Sequence, residues 1–183
     1  MVKRWAVVGL IGIIVVFLVG CIGRTVNQVT TPLKTDFSLK TTMSYQDWET
    51  EGILSKTGGT YHIMLTSPES VDGMEFIYDG DKVTVSYLGL SVDVTKDSTL
   101  LNSVSSGMIQ AVNHALLGAD TTIKEKGEQY VIQGNTENGE YKLVVEQKTG
   151  LPVSLELKAM DLQCTFEPIE DTTSQSLFLS SVA

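Results

Sequence analysis

The residues able to do acid–base, metal or nucleophile chemistry are few and scattered. The histidines are His62 and His114. His62 alternates to the side opposite Tyr61 and Ile63, which is the parity of a solvated strand residue. His114 falls near the end of a helical pattern, where an imidazolium complements the helix dipole. Neither has the spacing of a metal motif, in which two histidines share one helical face with a glutamate between them. Asp79 and Asp81 flank Gly80, Glu167 and Glu170 flank Pro168, and Glu49 and Glu51 share one face of an expected strand. A two-carboxylate hydrolase brings such groups together in space rather than in sequence, and nothing in these spacings selects a pair. Gly58-Gly59-Thr60 is a turn, with no following lysine or helix to cradle a phosphate. Cys164 alternates with Leu162 and Phe166, the position of a buried small hydrophobe rather than a nucleophile. The expectation is a protein without catalytic residues, bound metal or cofactor.

Cys21 stands in a different setting. Lys3 and Arg4 precede an apolar run from Trp5 to Gly20, the arrangement of a secretory signal. The cations hold the cytoplasmic side. The run is also long enough to cross a bilayer as an uncleaved anchor. Leu18-Val19-Gly20-Cys21 resembles the lipobox of bacterial lipoproteins. That resemblance implies cleavage after Gly20 and diacylation of Cys21 as the new N-terminus. Either way the rest of the chain is expected on the outer face of the membrane. The expected organisation is a signal peptide over 1–20, a tether over 21–35, one domain over 36–170 and a tail over 171–183. Cleavage takes Lys3 and Arg4 from the 13 basic residues and leaves the 22 acidic ones, a net charge near −11. No basic stripe remains to neutralise phosphates, which excludes nucleic acid as a partner class. With Cys21 lipidated, Cys164 has no partner in the chain for a disulfide.

Residues 61–94 and 130–166 alternate with period two. Tyr61, Ile63 and Leu65 share a face, as do Met74, Phe76 and Tyr78, then Val83, Val85 and Tyr87, then Leu90, Val92 and Val94. Asp79-Gly80 and Asn138-Gly139 are tight-hairpin signals. Tyr141, Leu143 and Val145 follow, then Val153, Leu155 and Leu157, and a last strand from Leu162 to Phe166. Each run has one apolar and one polar face, as in an antiparallel sheet covered on one side. Between the two groups, Leu101, Val104, Met108, Val112 and Ala115 recur every three or four residues, which predicts an amphipathic helix. Ser98 is its expected N-cap and Gly118 its stop. Gly107 in its middle implies a close neighbour. Residues 37–48 are expected to form a short helix leading into a strand that begins near Trp48.

The run "EGILSKTGGTYHIMLTSPESVDGMEFIYDGDKVTVSY" (51–87) and the closing "GEYKLVVEQKTGLPVSLEL" (139–157) resemble the lipoprotein-carrier superfamily of LolA, LolB, RseB and the germination lipoprotein GerS. The matching features are a strand ending in a proline turn, a strand ending in Asp-Gly, and a Thr-Gly turn between two strands. The resemblance implies an α+β fold in which a curved antiparallel half-barrel sheet wraps over one or two helices. It also implies a concave face that holds acyl chains or a protein. The chain departs from the carrier in having its own anchor and no arginine at a cavity position. Lys56, Lys82, Lys142 and Lys158 are expected on polar positions. Candidate cavity-lining residues are Met64, Met74, Phe76, Tyr78, Met108, Ile109, Leu116 and Met160. The expected partners are the membrane, through Cys21, and an acyl-chain or lipoprotein ligand or an envelope protein. The expected role is a non-enzymatic binding module. The alternatives are a regulatory scaffold for an envelope enzyme and, third, an envelope hydrolase. An open cavity would favour lipid, and one plugged by Phe76 and Met108 would favour a protein.

Overall fold

A computed structural model describes residues 31–80, 82–94 and 100–169, with helix side chains from residue 104 onward. The lipobox with Cys21, most of the expected tether, Ser98 and the tail from residue 170 lie outside the described residues. Eleven strands form one antiparallel sheet. The first meander is β1 (Phe37–Tyr45), β2 (Trp48–Thr57), β3 (Thr60–Ser67), β4 (Glu75–Asp79), β5 (Lys82–Tyr87) and β6 (Leu90–Val94). Helix α1 (Leu100–Leu117) follows. The second meander is β7 (Thr122–Lys126), β8 (Gln129–Thr136), β9 (Gly139–Glu146), β10 (Pro152–Leu157) and β11 (Leu162–Pro168). The sheet order is β6-β5-β4-β3-β2-β1-β11-β10-β9-β8-β7. The two meanders are therefore joined by one long-range seam, β1 against β11, running from Leu39 opposite Pro168 to Tyr45 opposite Leu162.

The seam corrects the expected short helix at 37–48. Phe37, Leu39, Thr41 and Met43 are buried while Ser38 and Lys40 are exposed, a clean period of two. The backbone groups of β1 are satisfied on both sides, by β2 and by β11. β11 lies more than a hundred residues away, so no local pattern announces this pairing.

One face of the sheet carries the core. Leu39, Leu54, Ile63, Leu143, Leu157 and Leu162 are fully buried there. From the helix, Met108, Ala111, Val112 and Ala115 pack onto the same core with no residual exposure. α1 packs chiefly against β8, β9 and β10. Gly107 permits the close approach anticipated from its position. A Cβ there would come 2.6 Å from Met160 Sδ.

Four polar contacts fix the helix across the sheet. Tyr61 Oη donates to Asn113 Oδ1 at 2.6 Å. Tyr141 Oη and His114 Nδ1 are 3.0 Å apart, with the rings edge to face. Asn138 Nδ2 donates to Gln110 Oε1 at 2.9 Å. Tyr78 pairs with the Ser105 hydroxyl. Burial raises the ionisation range of the phenols of Tyr61 and Tyr78, and pushes Tyr141 up to about 12.

Candidate functional site

Because α1 sits mainly on the β8–β10 half, the other half of the same sheet face is left partly uncovered. The result is a groove of about 590 Å³. Its floor is Met43 of β1, Leu65 of β3, Phe76 of β4 and Val85 of β5. One wall is the connection from β3 to β4, through Pro68, Val71 and Met74. Val104 and Ser105 close the helix side. Tyr45, Trp48 and Thr50 form one lip, and Tyr87, Leu90, Val92 and Val94 the other. The lining is almost wholly apolar, its polar groups being the hydroxyls of Thr50, Ser105 and the two tyrosines.

The lips are exposed to an extent unusual for large apolar side chains. Trp48 is 68% exposed, Leu90 74% and Val92 59%, and Leu88 at the β5–β6 tip is 83% exposed. Soluble surfaces normally carry such residues singly, whereas a contiguous apolar patch marks a place where something binds.

Strand parity and helix position sort the residues expected to line a cavity. Met74 and Phe76 line the groove. Tyr78 lies beyond its floor, buried beneath the helix and tied to Ser105. Met108 and Ile109 are buried in the filled core, and Leu116 and Met160 pack against its margin. Met64 is a correction. On β3 it alternates with the buried Tyr61, Ile63 and Leu65 and so faces the other side of the sheet, beside Ile53 and Glu75 in register. Lys56 is a second correction. It shares the parity of Leu54 on the buried face and is only 6% exposed. Its ammonium donates to the Gly58 carbonyl at 2.6 Å and lies 5.4 Å from the centre of the Tyr61 ring. The aliphatic stem is thus buried while the charge is satisfied at the end of the hairpin.

Trp48, Val71, Leu90 and Val92 were absent from the expected lining. The alternation of Leu90, Val92 and Val94 was legible, but it did not say that the strand would lack a helix above it.

The groups of chemical interest fall elsewhere. His62 Nε2 lies 3.6 Å from Glu75 Oε2 on the outer face of the sheet. His114 is engaged by Tyr141. Cys164 is buried between the meanders, and desolvation pushes its thiol up to about 12. Among the described residues, no three His, Cys, Asp or Glu side chains gather to hold a metal ion. No helix among them is long and apolar enough to cross a membrane.

No protein-family model matches the chain, and no curated protein matches its sequence. Solved structures do. A chain of the complex of the CwlD amidase with the GerS lipoprotein from Clostridioides difficile is 16% identical, over 68% of this chain and 76% of that one, with a TM-score of 0.44. A LolA superfamily protein from Nitrosomonas europaea is 13% identical over 66% of this chain and 63% of that one, with a TM-score of 0.33. The Mycobacterium tuberculosis lipoprotein LppX is 11% identical over 74% of this chain and 89% of that one, with a TM-score of 0.34. What this chain does must be read from its own groove.

Proposed function

We propose that this chain is a membrane-tethered, extracytoplasmic binding module without catalytic activity. It takes an apolar ligand, the acyl chain of an envelope lipid or lipoprotein, in the groove between β1–β6 and the start of α1. In this reading the sheet curls as a half-barrel around the helix, and lipidated Cys21 holds the domain at the outer face of the membrane.

The observation that carries the reading is the open apolar groove. Phe76 lies in its floor and Met108 is withdrawn into the core, so neither plugs it. Each methylene moved from water into such a groove contributes about 0.8 kcal/mol. A long chain therefore binds without any charged contact, which suits a lining that offers none.

Native mass spectrometry of the full-length protein released from a bacterial envelope tests this. A co-purifying mass that dissociates as a lipid is the expected result. A clean apo mass from every preparation overturns it.

A second reading is a scaffold that holds an envelope enzyme. It is favoured by the exposed β6 edge. β7, the other outer strand, carries Lys124, Glu125 and Lys126, charges that discourage strand addition. β6 instead presents Leu90 and Val92, with Leu88 beside it. Pull-down with the anchored full-length chain separates the two readings, since a stoichiometric protein partner with no bound lipid supports the scaffold.

A further inference from the structure

The two outer strands end the sheet differently. β7 carries Lys124, Glu125 and Lys126, charges that keep a further strand away. β6 reads Leu90-Ser91-Val92-Asp93-Val94, with no lysine, proline or glycine. Among the described residues it pairs on one side only, with β5. We propose that the free edge of β6 pairs with β6 of a second copy of this chain, antiparallel about a two-fold axis at Val92, so that two grooves share one apolar wall. The pairing goes beyond the reading of the groove's ligand and holds whichever ligand that is.

The hairpin from β5 to β6 fixes which backbone groups are free. Leu88 and Gly89 both have positive φ, 50° and 78°, as in a two-residue type I′ turn. Tyr87 and Leu90 beside that turn make a reciprocal hydrogen-bonded pair, and the alternation repeats it at Val85–Val92 and Val83–Val94. The N–H and C=O groups of Ser91 and Asp93 therefore point to the open edge. An added antiparallel strand must set these two residues opposite residues whose own groups point outward. Asp93 opposite Asp93 would place like charges against each other. Ser91 opposite Ser91 would bring Asp93 to Gly89, which lies in the turn rather than in the strand. Ser91 opposite Asp93 avoids both faults, pairs the whole of each five-residue strand and puts Val92 against Val92 on the axis.

The side chains suit that register on both faces. On the outer face, the Ser91 hydroxyl accepts from Ser86 Oγ at 3.1 Å, which leaves its own proton for the Asp93 carboxylate of the second copy. Asp93 is already balanced by Lys82 Nζ at 3.1 Å and Thr84 Oγ1 at 2.8 Å, so the axis gathers no net negative charge. On the groove face, Val92 meets Val92 and Leu90 meets Val94 at the non-hydrogen-bonded positions, where side chains approach most closely. Leu90 and Val92, 74% and 59% exposed in the single chain, are thereby covered. Such a pair closes on itself and leaves only the charged β7 edges outside. Pairing β6 with β7 of another copy would instead run on without closing.

Disulfide trapping in native membranes tests the register on the full-length chain, with the unsubstituted chain, which has Cys21 and Cys164, as background. In Val92→Cys the two Cα atoms stand about 4.5 Å apart, within disulfide reach. In Leu88→Cys, four residues before the axis on each copy, they stand about 26 Å apart, although Leu88 is the more exposed at 83%. Mild oxidation should cross-link Val92→Cys about ten-fold faster than Leu88→Cys, Ser91→Cys or Asp93→Cys, as held proximity gives. Ser91→Pro removes an N–H from the edge and is compatible with an unpaired edge strand. In analytical ultracentrifugation of the detergent-solubilised full-length chain it should raise the dimer Kd about ten-fold or more, equivalent to about 1.4 kcal/mol, with the secondary structure retained. Val92→Lys, which sets two ammonium groups on the axis, should do the same. A chain that stays monomeric overturns the inference. So does cross-linking at Leu88→Cys as fast as at Val92→Cys, a dimer that both Ser91→Pro and Val92→Lys leave intact, or capture of a different protein at Val92→Cys. A monomer with lipid in its groove sinks the inference and leaves the binding module standing. A dimer of this register that never binds lipid does the reverse.

Discussion

Tyr61 Oη meets Asn113 Oδ1 at 2.6 Å, while one residue along the helix His114 Nδ1 meets Tyr141 Oη at 3.0 Å. Tyr61 is on β3 and Tyr141 on β9, and four strands stand between them in the sheet. Two neighbouring helix residues thus tie together strands that would be about 24 Å apart in a flat sheet. That crossing sets the position of α1, and the position of α1 sets which half of the sheet face stays open.

Removing these ties should be costly and coupled. Tyr61→Phe and Tyr141→Phe are each expected to lose about 1 kcal/mol, the net contribution of one hydrogen bond. The double variant should depart from additivity by about 0.5 kcal/mol or more, because both bonds restrain the same helical turn. Urea unfolding of the four proteins in the cycle measures this. Strict additivity would mean that the two contacts act independently.

Gly134 faces Tyr141 across β8 and β9. A Cβ at that position would lie 2.7 Å from the phenol oxygen and 2.8 Å from a ring carbon. The ring has little room to retreat, since His114 Nδ1 holds that same hydroxyl at 3.0 Å. Gly134→Ala is expected to destabilise the fold by about 1–3 kcal/mol, the usual cost of overpacking. An unchanged urea midpoint would show that the ring moves freely.

Ligand binding should be visible and blockable at the groove. Trp48 is 68% exposed on one lip, and the only other tryptophan is Trp5, in the expected signal peptide. In a Trp5→Phe background, titration with a single-chain lipid should shift Trp48 emission to the blue. Val85→Phe, which thickens the groove floor, should weaken that binding about ten-fold, or about 1.4 kcal/mol, with little change in stability. Met108→Trp, by contrast, should destabilise the core, since Met108 is fully buried away from the groove.

Alkaline stability follows from the buried thiol and phenols. Burial raises Cys164 from 9.0 to about 12. It raises Tyr141 from 10.0 to about 12, and moves Tyr61 and Tyr78 in the same direction. Between these values the unfolded chain has lost protons that the folded chain keeps. Stability is therefore full below about pH 9 and falls as pH rises towards about 12. Cys164→Val should flatten part of that decline. Ellman's reagent should likewise react with Cys164 only at the rate of unfolding, and rapid labelling of the native protein would show that the thiol is open to solvent.

The amino-acid sequence alone determined the strands and the helix wherever pattern and partner were close in the chain. Tyr61-Ile63-Leu65 and Tyr141-Leu143-Val145 alternate because every second side chain of a strand meets the core. Met108, Val112 and Ala115 recur at helical spacing for the corresponding reason. It also placed Cys164 correctly, since Leu162 and Phe166 share its parity. Parity should have excluded Met64 from the lining, because it alternates with Tyr61, Ile63 and Leu65. Tertiary structure alone decided the rest. β1 is a strand because β11, far along the chain, completes its hydrogen bonds. Lys56 is buried because a neighbouring carbonyl and a tyrosine ring satisfy it. Leu90 and Val92 line an open groove rather than a packed core because α1 leans onto β8–β10. Periodicity records which side of an element is apolar, but whether that side is covered depends on where a distant element comes to rest.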